Sequence, residues 1–139
     1  MATISRFEDI EAWKHCRSLA REVYLVTLTG TFSRDYKLRD QINAAAGSAM
    51  DNIAEGFGRG GRNEFVTFLG ITTGSLDEVK SQLYRALDRE HINQQTFDKL
   101  YELADIAANK SGSFIRYLNS SNTAGQKFRD RTPSKKANN

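Results

Sequence analysis

Proline is almost missing from this chain: the single one, Pro133, stands six residues from the end, so the preceding residues form one uninterrupted proline-free run. Nothing in that run forces a helix to break. One cysteine, Cys16, excludes an internal disulfide framework and any multi-cysteine metal site. Only two histidines, His15 and His91, are present, so a metal centre would have to be built from carboxylates. No spacing of acidic residues suggests one, and neither a metal nor any other cofactor is expected. Long apolar runs are also lacking: nothing approaches the ~20 residues of a membrane span, and the opening MATISRFEDIEAW has no signal-peptide core. A soluble, cytoplasmic protein is expected.

What is present is helix-period patterning over a chain of 139 residues, enough for one domain with its own core. The net charge of +3 is unevenly shared. Residues 122–139 hold Lys127, Arg129, Arg131, Lys135 and Lys136 against Asp130, which leaves the rest of the chain at −1. Basicity therefore belongs to the tail, and the overall charge is no argument that the body binds nucleic acid. The tail is nearly free of apolar residues and is expected to be disordered, next to a folded unit over residues 1–121.

Four helices are expected within that unit. The first spans residues 7–28, with Ile10, Trp13, Cys16, Ala20, Val23, Tyr24 and Thr27 on one stripe and Gly30 as its stop. Ser33 is the expected cap of the second, which runs to about Phe57 along Leu38, Ile42, Ala45, Ala49 and Ile53. The third follows a short glycine turn and reads Phe65, Phe68, Leu69, Thr72, Leu76, Val79, Leu83 and Leu87. The fourth covers residues 95–119 through Phe97, Leu100, Ala104, Ala107, Ser111, Phe114 and Leu118. Long helices joined by tight links predict an all-α, antiparallel up-down-up-down four-helix bundle.

Small residues recur on the central two helices: AAAGS at 44–48, and Gly70 and Gly74 four apart. A turn centred near Arg59 would set Ser48 beside Gly70 and Ala44 beside Gly74, predicting close backbone approach there. Polar residues follow lines of their own, Gln41, Ser48, Asn52 and Glu55 on one helix and Ser75, Glu78, Gln82 and Arg85 on the next. Two readings apply: a solvated boundary, or a hydrogen-bonded seam between helices or subunits that specifies register. Glu55 is also placed to pair with Arg59 or Arg62.

Residues 56–61, GFGRGG, satisfy the letter pattern GxGxxG. The dinucleotide motif needs a strand before its glycines, and here a helix precedes them, so they read as a helix-ending turn. Amides at the start of the third helix, with Arg59 and Arg62, are candidate anion contacts, against the plainer reading of a solvated turn. The tail bases Lys127, Arg129, Arg131, Lys135 and Lys136 are candidate phosphate contacts, against that of a solubilising end. Cys16 reads as a core thiol and His91 as a cap or loop residue. No nucleophile, base and orienting group fall together, so no catalytic residues and no enzymatic activity are expected.

Several motifs together carry a resemblance. They are Phe7-x-x-Ile10-x-x-Trp13, Tyr36-x-Leu38-x-x-Gln41-Ile42, Asn52-Ile53-Ala54-Glu55-Gly56-x-Gly58-Arg59, Glu64-Phe65-x-x-Phe68-Leu69 and Gly74-Ser75-Leu76-x-Glu78. Over residues 7–118 the chain resembles the bacterial four-helix-bundle family whose genes lie as intervening sequences within 23S ribosomal RNA genes. The resemblance implies a ring-like, pentameric homo-oligomer. It also implies a fold similar to that of the accessory proteins of diversity-generating retroelements, which bind a reverse transcriptase and RNA. No activity comes with the family, and a structural place in the ribosome is not implied. The expected function is a non-enzymatic accessory factor whose partners are copies of itself and RNA or a nucleic-acid-processing protein; the alternative is a protein–protein scaffold that binds no nucleic acid. The chain departs from the family pattern at Gly60-Gly61 and at Lys80.

Overall fold

Residues 4–120 are described by a computed structural model. The tail expected to be disordered, with its five basic residues, lies outside them. Helices α1 (Glu11–Val26), α2 (Tyr36–Gly58), α3 (Arg62–Asp88) and α4 (Gln94–Ser120) each pack on the next, and α4 closes back on α1. This is the up-down four-helix bundle the patterning predicts, with α1 and α3 on one diagonal.

The core follows the helix period. Leu38, Ile42, Ala49 and Ile53 of α2 are wholly buried against Phe65, Leu69, Leu76 and Leu83 of α3, with Leu100, Ala104 and Leu118 completing the layer from α4. On α1 the buried line is Ala12, Cys16, Leu19 and Val23, rotated from the expected one. Trp13 and Ala20 are only half-buried, and Tyr24 is 54% exposed. Burial pushes the Cys16 thiol up to about 12, so it stays protonated and acts as a small apolar side chain.

Helix ends depart from the sequence expectation for identifiable reasons. The first helix does not begin at Phe7: a 3₁₀ turn over Phe7–Asp9 comes first, and Ile10 takes an extended conformation that buries its side chain. Ser33 does not cap α2, because its hydroxyl donates back to the Gly30 carbonyl at 2.7 Å inside a second 3₁₀ turn, Gly30–Arg34. Asp35 caps α2 instead, its Oδ1 accepting from the Leu38 amide at 3.4 Å. Asn93 does the same for α4, accepting from the Thr96 amide at 2.9 Å.

The end of α3 is closed by paired backbone bonds, from the Glu90 amide to the Leu87 carbonyl and from the His91 amide to the Ala86 carbonyl, both 2.9 Å. This closure needs a left-handed residue, and Glu90 supplies it at φ +59°. A non-glycine residue is strained there by about 1 kcal/mol. Glu90→Gly is therefore expected to raise the unfolding free energy by about 0.5–1 kcal/mol in urea titration; a lower midpoint would show that the Glu90 side chain holds the turn.

The register between α2 and α3 corrects the expected one. Thr72 Oγ1 donates to the Ala49 carbonyl at 2.8 Å, and Ser75 meets Ser48 at 3.1 Å. Ser48 is thus opposite Ser75, not Gly70, and Ala44 is not paired with Gly74. Gly70, Gly74 and Ala44 are exposed, and a Cβ added at either glycine would meet nothing within 4 Å. The close approach lies nearer the turn, at Gly56, where an added Cβ would fall 2.6 Å from Phe68 Cβ. The glycine turn itself bends through Gly60, at φ +87°.

Candidate functional site

Two polar constellations stand out among the described residues. The first is the seam along α2 and α3. Ser48 Oγ accepts from Ser75 Oγ at 3.1 Å and from Asn52 Nδ2 at 3.0 Å, while Asn52 Nδ2 also reaches the Ser48 carbonyl at 2.8 Å. Nearer the other end, Arg85 Nη2 donates to Gln41 Oε1 at 3.0 Å. Gln82 lies between these contacts on α3, and its buried Oε1 has no hydrogen-bond partner among the described residues. Such paired polar groups cost little when satisfied and penalise a slipped register, because slipping strands them without water.

Two residues of the expected lines stand apart from the seam. Glu55 is exposed and pairs along its own helix with Arg59 at 2.9 Å, one of the two arginines it was placed to meet. Glu78 is exposed and makes no ion pair among the described residues. Arg59 also lies over the Phe68 ring, 5.3 Å from its centroid, and Arg62 opens α3 half-buried. Lys80, where the chain departs from the family pattern, ties α3 to α4: it pairs with Asp105 and lies 5.2 Å above the Tyr101 ring. The Asp105 carboxylate holds the Lys80 ammonium above its ordinary value.

The second constellation escaped the sequence reading. Asp35, besides capping α2, receives Arg89 Nη1 and His91 Nε2 on one oxygen, each at 2.8 Å. The other ring nitrogen, Nδ1, is 2.8 Å from Thr31 Oγ1, and the imidazole stacks on Phe32 with centroids 5.1 Å apart. A carboxylate only accepts, so Nε2 carries a proton; in the neutral ring Nδ1 then accepts a hydrogen bond from the Thr31 hydroxyl. The hydrogen bonds from His91 and Arg89 draw the Asp35 carboxyl down to about 2. The hydroxyl–imidazole–carboxylate order resembles a catalytic relay. Its carboxylate, however, is also committed to a helix cap and to Arg89, and the cluster fastens the α1–α2 connection to the α3–α4 connection. No periodicity could reveal it, since His91 lies 56 and 60 residues from its two partners. The usable signal was local: Asp35 directly before an apolar helix pattern is a cap in its own right.

Among the described residues no group of histidine, cysteine or carboxylate side chains could hold a metal ion. No helix among them is long and apolar enough to cross a membrane.

An antiparallel bundle whose central hairpin is keyed by side-chain hydrogen bonds defines the class of protein. The model of the 23S rRNA-intervening sequence protein family matches residues 8–121, and the chain belongs to that family. A crystal structure of a protein of unknown function from the S23 ribosomal protein family of Bacteroides thetaiotaomicron VPI-5482 superposes with a TM-score of 0.69. The match covers 76% of this chain and 98% of that one at 17% identity, a likeness of fold. No curated protein matches the sequence.

Proposed function

We propose that this protein is a non-enzymatic, cytoplasmic, oligomeric bundle, a pentameric ring of identical copies, that serves RNA or a ribonucleoprotein as an accessory factor. Self-assembly is supported by the large apolar side chains left at the surface, among them Leu28, Tyr36, Ile71 and Tyr84, each at least 47% exposed. The observation that carries the RNA reading is the α2–α3 turn, where Arg59 lies over the Phe68 ring and Arg62 follows at the start of α3. An arginine against an aromatic ring, beside the start of a long helix, suits a phosphate with an adjoining base. Family membership supports the same reading through the setting its name describes.

Titrating a structured RNA at several salt concentrations tests this. Wild type is expected to show a log–log salt slope of about −0.7 to −0.9 per phosphate contacted, and Arg59→Ala with Arg62→Ala to flatten it by about 1–2. Removing residues 122–139 separates the tail's share from the turn's. Binding no tighter than that of a neutral control protein, without a salt slope, would sink the RNA reading. It would leave the second one, a protein–protein scaffold, which the net −1 of the chain outside the tail favours.

A further inference from the structure

The outer side of the α3–α4 pair carries an aromatic cluster set among exposed carboxylates. Tyr84, Phe97 and Tyr101 stand with ring centroids 4.8, 5.4 and 5.9 Å apart. Phe97 is buried beneath, Tyr101 is half-buried and Tyr84 is 50% exposed. Asp77 and Asp88 lie on the stripe of Tyr84, and Asp98 on that of Tyr101, at helical threes and fours. All three acids are exposed, and none has an ion pair among the described residues. The bases nearby are engaged: Lys80 with Asp105, Arg89 with Asp35, Lys99 with Glu22, and Arg85 with Gln41. Over residues 77–105 seven acids stand against four bases, a net −3.

One segment of the chain has the opposite make-up. Residues 122–139 hold five bases against one acid, and their only aromatic is Phe128, between Lys127 and Arg129. Its distance from α4 along the chain fits the face. From Tyr101 to Ser120 the helix advances nineteen residues, a rise of about 28 Å. The eight residues from Ser120 to Phe128, laid extended, cover about 26–29 Å. Asp98 is about 33 Å of helix from Ser120, and Arg129 covers about 30–32 Å before its side chain is added. Residues 121–126, which would cross the intervening part, are uncharged.

From this we infer that residues 127–131 fold back along α4 of their own bundle and dock on this face. Phe128 packs against Tyr84 and Tyr101, and the flanking bases meet Asp77, Asp88 and Asp98. Exposed ion pairs are individually weak and screened by salt. Tethering offsets that weakness, because it supplies the segment at an effective concentration on the order of mM, and the aromatic rings add apolar contact. Phosphate then competes with the bundle's own carboxylates for Lys127, Arg129 and Arg131. The inference depends on neither the oligomeric nor the RNA reading. It takes Tyr84 out of the surface open to a second copy and leaves Leu28, Tyr36 and Ile71.

A photo-cross-linker tests it: p-benzoylphenylalanine in place of Phe128 in the full chain, irradiated and mapped by mass spectrometry. The expected product forms within one chain, on the peptides that carry Tyr84 and Tyr101. Salt at about 1 M, where the screening length is about 3 Å, is expected to reduce that product by about fivefold. Asp77→Asn with Asp88→Asn and Asp98→Asn should reduce it as much, with circular dichroism confirming the fold; the salt arm needs no substitution. Products scattered over the other helices would overturn the proposal. So would a product unchanged by the triple variant or by salt, or one formed only between two chains. A triple variant that alters the sedimenting mass while the products scatter would give the face to a second copy, and would overturn it as well.

Discussion

Replacing Gly56 by alanine is expected to lower the unfolding free energy by about 1–3 kcal/mol, although alanine is the better helix former by about 1 kcal/mol. The added methyl would lie 2.6 Å from Phe68 Cβ and 3.0 Å from Phe65 Cδ1. A Cβ is fixed to its backbone, so no rotation of Phe68 clears the contact, and α2 and α3 would have to part at this end. Phe65 has no room to yield: it is wholly buried, with its ring edge-on to Phe57 at 6.1 Å and to Phe114 at 5.3 Å. Gly70→Ala and Gly74→Ala are the contrast. Both glycines are exposed and helical, with nothing within 4 Å of a new Cβ, so each change is expected to raise stability by up to about 1 kcal/mol. Combining Gly56→Ala with Phe68→Ala should recover little, since alanine keeps the offending Cβ; Phe68→Gly should show the coupling in a double-mutant cycle. Urea unfolding measures all of these, and a Gly56→Ala protein as stable as wild type would show that the helices are free to separate there.

The bundle was legible because its core follows a period. Leu38, Ile42, Ala45, Ala49 and Ile53, and Phe65, Leu69, Thr72, Leu76, Val79 and Leu83 on α3, fall every three or four residues and are buried, while Phe68 of the expected line is only half-buried. Register was not legible from the small residues. Gly70 and Gly74 say only that no side chain is present, and that is equally true of a face against a neighbour and a face in water. The polar residues were the better guide to register, since each donor needs an acceptor at one height: Ser48 with Ser75, Gln41 with Arg85. Helix ends were the least legible, because they turn on competition among neighbours. Ser33 has the chemistry of a cap, but its hydroxyl already serves the Gly30 carbonyl, so the role passes to Asp35.

Asp35→Ala is expected to cost about 2–3 kcal/mol, because it removes the cap of α2 and both charge-assisted bonds that join the two connections at that end of the bundle. It would also leave the 10% exposed His91 side chain, stacked on Phe32, without an acceptor for its Nε2 proton. Asp35→Asn keeps a capping oxygen and loses the charge, so an intermediate loss is expected. The pH dependence has a definite sign. The carboxyl sits at about 2 in the fold against its ordinary 3.8, so folding favours the deprotonated form. Its contribution is complete above pH 5 or so, falls away as pH drops through 4 to 2, and vanishes only below about 1, where both states are protonated. Glu11, drawn down by Lys14, adds to the acid limb in wild type and variant alike, so the difference between the two curves isolates Asp35. Stability of wild type and Asp35→Asn, followed by urea unfolding between pH 7 and pH 2, should therefore start apart and converge as the acid end is reached. Two curves that stay parallel to pH 2 would show that the carboxylate is not what holds the two connections together.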